Sequence, residues 1–125
     1  MKIVKDIAPI TETNKYDVVL VATSIYGMLT NGFQRDIRIK YPYVHEENIK
    51  QPYADLRRLG TRLTLKREGN PVISLLYVCT FPLSDREFID RDALRHALLT
   101  ADAEFAGKKV MTTLIGASKY DGNCD

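Results

Sequence analysis

Two short stretches carry residues able to hold a small anionic ligand. Thr30-Asn31-Gly32 follows an apolar run and opens a helical pattern. Free backbone amides at a helix start, with the helix dipole behind them, attract an anion, and a glycine there lets a phosphate approach the main chain. The simpler reading of the same residues is a helix cap. The second stretch, Ile115-Gly116-Ala117-Ser118-Lys119-Tyr120-Asp121-Gly122-Asn123, lies just beyond the last apolar run. Ligands of open α/β sheets bind outside the carboxyl ends of the strands, and this loop unites glycine, a hydroxyl, an aromatic ring, a carboxylate and an amide. That set suits phosphate and sugar, while a plain turn on Asp121-Gly122 is the competing reading. Convergence of the two stretches in space is the deciding observation.

Other chemistries find little support. Neither GxGxxG nor GxxxxGK[ST] occurs, and none of Ser24, Ser74, Ser84 and Ser118 stands in a GxSxG elbow. His45 precedes Glu46-Glu47 in what reads as a polar connection, and His96 lies between the core positions Leu94 and Ala97 of a helix. His45 is expected to be solvated, and His96 to be a surface or boundary residue rather than a base. No His, Cys, Asp and Glu set has metal-ligand spacing, so neither a metal nor a cofactor is expected. Cys79 and Cys124 are far apart and belong to no paired motif, which reads as two free thiols.

These stretches need elements to position them. Val18 to Ala22, Val72 to Val78 and Val110 to Ile115 are apolar and β-branched without polar alternation, as in strands buried on both faces. Thr61 to Lys66 alternates like a half-exposed strand, and Arg67-Glu68-Gly69-Asn70-Pro71 would return it onto Val72 to Val78 as an antiparallel hairpin. A further strand is expected near Ile3. Asp90 to Phe105 places Ala93, Leu94, Ala97, Leu98, Ala101 and Phe105 on one helical face, with Asp90 as cap and Gly107 as terminator. A second helix carries Phe33, Ile37 and Tyr41 and stops at Pro42. A third starts near Pro52, packs Tyr53, Leu56 and Leu59, and ends at Gly60. Strand and helix alternate around one antiparallel pair, so the expected fold is a three-layer α/β domain with a mixed sheet.

Length and charge narrow the classes. A chain of 125 residues is sized for one domain, and its net charge of +2 is too small for a protein that coats a polyanion. Arg35, Arg38, Lys40, Arg57, Arg58, Arg62, Lys66 and Arg67, interleaved with Tyr41, Tyr43 and Tyr53, would be the material of a nucleic-acid face. Glu46, Glu47, Asp55 and Glu68 are scattered among them, so a solvated amphipathic face is the preferred reading. No apolar run approaches the roughly 20 residues of a membrane span. An acidic residue, Asp6, arrives before a signal-peptide core could form, so a cytoplasmic protein is expected.

The two loops and their spacing resemble the macrodomain family, which binds ADP-ribose. The family opens with a strand followed by Gly-Asp-Ile or Gly-Asp-Leu, and Lys5-Asp6-Ile7 stands at that place. Asp17 to Ala22 resembles its buried Asp-Ala-Ile-Val-Asn strand. Gly27-Met28-Leu29-Thr30-Asn31-Gly32-Phe33 is similar to its glycine-rich first loop, and Ile37 to Pro42 to the helix that follows. Gly60 before the hairpin, and Ile115 to Gly122 as a second loop, complete the likeness. Residues 1–125 are then expected to form one macrodomain-like, three-layer α/β/α domain. Because the chain ends at Asp125, where the family usually continues with another helix and strand, both a minimal domain and a chain cut short stay open.

The resemblance implies roles. Asp6 would accept the adenine amino group, with the Ile7 amide beside it. Asn31, Gly32 and Phe33 would line the distal ribose and one phosphate, and Gly116, Ala117, Ser118, Lys119 and Tyr120 would wrap the diphosphate. The nearest branch holds the terminal ADP-ribose glycohydrolases and the yeast-type ADP-ribose 1″-phosphate phosphatases. In the glycohydrolases a lysine after the central strand attacks the anomeric carbon, and a second-loop aspartate assists. Asp121 matches that aspartate. The lysine's place falls at about Thr80, and residues 74–88 hold no lysine, while Val21-Ala22-Thr23-Ser24 replaces the family's Asn-Ala-Ala-Asn. These departures argue against a lysine adduct and leave hydrolysis by a water that Asp121 activates. The implied partners are ADP-ribose or a related adenine nucleotide and an ADP-ribosylated protein. The alternatives are a non-catalytic nucleotide-binding or sequestering module and a nucleic-acid-binding domain.

Overall fold

The computed structural model describes residues 2–5, 10–27, 29, 32–80 and 88–112. Along the chain these form β1 (Lys2–Lys5), β2 (Val18–Ser24), α1 (Gly32–Lys40), α2 (Pro42–Asn48), β3 (Arg62–Leu65), β4 (Val72–Thr80), β5 (Phe88–Ile89), α3 (Arg91–Glu104) and β6 (Lys109–Thr112), with 3-10 turns at Ile10–Lys15 and Leu56–Arg58. The sheet runs β1-β6-β2-β4-β3, and β5 also pairs with β4. β1, β6, β2 and β4 are parallel, whereas β3 and β5 run antiparallel to β4. The mixed sheet and the hairpin are therefore present as expected.

All residues of β2 are buried because helices cover both faces of the strand. Val19 and Val21 point with Ile73, Leu75 and Tyr77 toward Ile37, Tyr41 and Val44 of the α1–α2 side. Val18, Leu20 and Ala22 point with Leu76 and Val78 toward Ala97, Ala101 and Phe105 of the α3 side. The result is a three-layer α/β/α arrangement. Small Ala93, Ala97 and Ala101 on the inner face of α3 let its backbone lie close over β4. The Asp90 carboxylate accepts the Ala93 amide at 2.9 Å, and Gly107, with φ 79°, turns the chain out of the helix.

Four expectations fail. Pro42 ends α1 but also opens α2, where a missing amide hydrogen costs nothing, so the presumed polar connection around His45 is helical. His45 is correspondingly half-buried rather than solvated, with a buried Nδ1. The helix expected from Pro52 shrinks to the turn Leu56–Arg58, and Tyr53 and Leu56 are 72% and 68% exposed instead of packed. Cys79 is buried and disulfide-bonded, so it is not a free thiol. Among the described residues no helix is long and apolar enough to cross a membrane.

Candidate functional site

The parallel strands direct their carboxyl ends to one edge of the sheet. Lys5 of β1, Thr112 of β6, Ser24 of β2 and Thr80 of β4 end there in that spatial order. The chain then leaves β2 for the α1–α2 face, whereas the return from β4 to β6 crosses the opposite face with α3. Divergence of the connections to opposite faces is what opens a crevice at the carboxyl edge of an α/β sheet.

The described part of this edge is the exit from β2. Thr23 donates from Oγ1 to Gln34 Oε1 at 2.9 Å, a buried bond that ties α1 to the end of the strand. Ser24 Oγ accepts the Tyr26 amide at 3.2 Å and starts the turn. The Ile25 carbonyl then accepts both the Ala54 amide at 3.0 Å and Arg58 Nη1 at 2.9 Å. Arg58 Nη1 also donates to the Pro52 carbonyl. A buried guanidinium thus holds the β2 exit against the segment that follows α2. Gly27, with φ 75°, carries the chain onward, and fully buried Leu29 anchors it in the core.

Beneath that exit lies Tyr77 of β4. Its ring sits 4.1 Å from the Arg58 guanidinium carbon, and its hydroxyl donates to Asn48 Oδ1 of α2 at 2.5 Å. Burial pushes the Tyr77 phenol above its ordinary value, against the pull of the neighbouring Arg58 charge. No sequence signal marked this cluster, because Arg58 reads as one more cation of a basic segment and Asn48 as a polar helix residue.

Of the residues expected to bind ligand, Gly32 and Phe33 fall within the described structure. Gly32 is exposed at the first position of α1 with φ 48°, and a Cβ there would meet nothing within 4 Å. Phe33 is half-buried against the α1–α2 core rather than free to meet ligand with its whole ring. Asp6, Ile7, Asn31, Gly116, Ala117, Ser118, Lys119, Tyr120 and Asp121 lie outside the described residues. What the topology does settle is where the flanking strands end: Asp6 follows the last residue of β1, and the 113–125 segment follows β6, which lies between β1 and β2.

A groove of about 530 Å³ opens at the opposite edge, near Asp17, Lys66, Asn70, Pro71, Glu104 and Lys108. It borders the amino ends of β2 and β4, the end of an α/β sheet that ligands do not ordinarily occupy.

No family model matches the sequence, and no curated protein does. Solved structures do match the fold. The macrodomain of Thermus aquaticus DarG aligns with a TM-score of 0.64 over 83% of this chain and 68% of that one, at 10% identity. A macrodomain protein from Streptomyces coelicolor aligns with a TM-score of 0.54 over 90% and 68%, at 12% identity. The chain has the macrodomain fold. A protein of unknown function from Bacteroides thetaiotaomicron shares it, with a TM-score of 0.66 over 89% of this chain and 76% of that one, at 16% identity. With this fold, the chain leaves β2, passes Gly27 at φ 75° and enters α1 at Gly32.

Proposed function

We propose that the chain binds ADP-ribose or a close derivative across the carboxyl ends of β1, β6 and β2. The observation that carries this reading is the strand order of a macrodomain fold. The three strands preceding Asp6, the 113–125 segment and the Gly32 helix start are immediate neighbours and parallel. Two interstrand spacings, about 10 Å, separate the outer pair. Asp6 and the Ile7 amide take the adenine edge in this proposal. Asn31, Gly32 and Phe33 border the distal ribose and one phosphate, and Gly116, Ala117, Ser118, Lys119 and Tyr120 enclose the diphosphate.

Calorimetry against ADP-ribose, AMP and ATP tests this reading. ADP-ribose is expected to bind, and Asp6→Ala to weaken it by about tenfold or more, the worth of a charge-assisted hydrogen bond. Unchanged affinity removes Asp6 from the adenine site, and no binding of any adenine nucleotide ends the proposal.

The reaction we propose is hydrolytic release of a phosphate or an acyl or protein group from the distal ribose, with Asp121 orienting and deprotonating the attacking water. Product release from ADP-ribose 1″-phosphate and from an ADP-ribosylated protein is expected to fall in Asp121→Ala. Equal rates in parent and variant remove Asp121 from the mechanism, and no turnover by the parent leaves a binding module. The nucleic-acid alternative loses ground because two of its eight cations are committed elsewhere. Arg58 is buried under Ile25, and Arg62 pairs with Glu104 at 2.7 Å while bonding Thr100 and Ser74.

A further inference from the structure

Among the described residues five large apolar side chains are exposed, and three of them, Ile49, Tyr53 and Leu56, fall within residues 49–56. Two of the three border the β2 exit. The Tyr53 ring, 72% exposed, stands edge-on to Tyr26 at a centroid separation of 5.3 Å. The Ile49 Cα lies 4.0 Å from where a Cβ on Gly27 would sit. Apolar side chains scattered singly over a surface need no explanation, but a grouped set marks a surface that a partner covers.

The chain holds this patch in place. Ala54 takes φ 55°, a left-handed conformation that an L residue keeps only where its surroundings impose it. Here the Ala54 amide donates to the Ile25 carbonyl at 3.0 Å, and buried Arg58 donates to the Ile25 and Pro52 carbonyls. Fixing an exposed surface in advance lowers the ordering cost of binding to it. The same bonds fix its position. Arg58 rests on the Tyr77 ring and Gly60 donates its amide to the Tyr77 carbonyl at 2.7 Å, so the 52–58 segment lies over β4, on the side of β2 away from β6 and β1. In the reading proposed above, adenine lies at the β1 end and the distal ribose at the β2 end. A group attached to the distal ribose and continuing along that line meets Tyr26, Gly27 and Tyr53.

Charge decides between the macromolecules that could bear such a group. Residues 46–58 hold three acidic and three basic side chains. Lys50 pairs with Glu47 at 3.1 Å, and Arg57 with Asp55 at 2.8 Å. Charges that cancel exert little pull on a phosphate backbone and leave apolar contact as the means of recognition. We propose that Ile49, Tyr53 and Leu56, with Tyr26 behind them, form the docking surface for the polypeptide of an ADP-ribosylated protein, selecting modified sites that carry a large apolar neighbour. The proposal rests on the ADP-ribose reading and adds to it a preference that free ADP-ribose cannot express.

Affinity is measured for free ADP-ribose and for two peptides that carry ADP-ribose through a non-hydrolysable linkage, one with leucine and phenylalanine beside the modified residue and one with glycine and serine there. The parent should bind the apolar peptide about tenfold more tightly than the polar one, the worth of covering one large side chain. Tyr53→Ser should abolish that difference and leave the affinity for free ADP-ribose unchanged, whereas Tyr53→Phe should keep both. Equal binding of the two peptides by a parent that binds free ADP-ribose overturns the docking surface and leaves the cleft standing. No binding of free ADP-ribose by the parent ends both readings. A single-stranded oligonucleotide whose binding is lost in Tyr53→Ser overturns the polypeptide assignment in favour of base stacking.

Discussion

At the scale of single residues, Tyr77 does two jobs that most core tyrosines do not combine. Its ring supports a cation and its hydroxyl satisfies a fully buried amide. Tyr77→Phe keeps the ring and leaves Asn48 Oδ1 without its donor, so chemical denaturation should show a loss of about 1–3 kcal/mol. The phenol has a pH consequence as well. Its folded value is raised above 10.0 by burial, so the folded chain retains the proton longer than the unfolded one. The sign follows: this contribution is complete below pH 10 and disappears as pH rises through the folded value. Ultraviolet titration should show Tyr77, with Tyr43, whose phenol burial also raises, ionising after the ordinary tyrosines. Simultaneous ionisation of all tyrosines in the folded protein would contradict that placement. None of this was legible in the sequence, because burial of Arg58 is decided by segments distant from it in the chain, namely Ile25 and Tyr77.

Elements were legible where one physical signal dominated. Val18 to Ala22 and Val72 to Val78 are apolar on both faces, and only a strand between two helical layers uses such a run. Asp90 and the alanine spacing defined α3 for the same reason, and its cap gives a direct check. Asp90→Ala should lower stability by about 1 kcal/mol in denaturant titrations, while Asp90→Asn should largely preserve it. Proline misled because it carries two meanings: it stops the helix before it and starts the one after it, and at Pro42 both hold. At Pro52 the local pattern lost to tertiary bonds. Ala54 takes φ 55° and donates its amide to Ile25 across the fold, which a continuing helix would forbid. The carboxyl edge was legible as a place, from glycines following apolar runs. The Arg58 clamp behind it had no periodic or motif signature.

Across the whole molecule, protection should follow the number of strand partners. β2 and β4 lie inside the sheet and are covered on both faces, whereas among the described residues β1 is an edge strand paired with β6 alone. In native-state hydrogen exchange the amides of β2 and β4 should therefore be the slowest of the strands, and those of β1 the fastest. Equal protection of β1 and β2 would mean that the sheet opens only as a unit. The strand order also dictates a timetable during synthesis. Ile3 pairs with Val110, and Val18 pairs with Val110 from the other side, so one late strand is wedged between two early ones. A growing chain can assemble β2, β4 and β3 as soon as they emerge from the ribosome, but β2 then presents a bare flank and β1 has nothing to join. Until residues 109–112 are translated, that flank is an invitation to pair with another nascent chain. Insertion of β6 between β1 and β2 covers both flanks and ends that exposure.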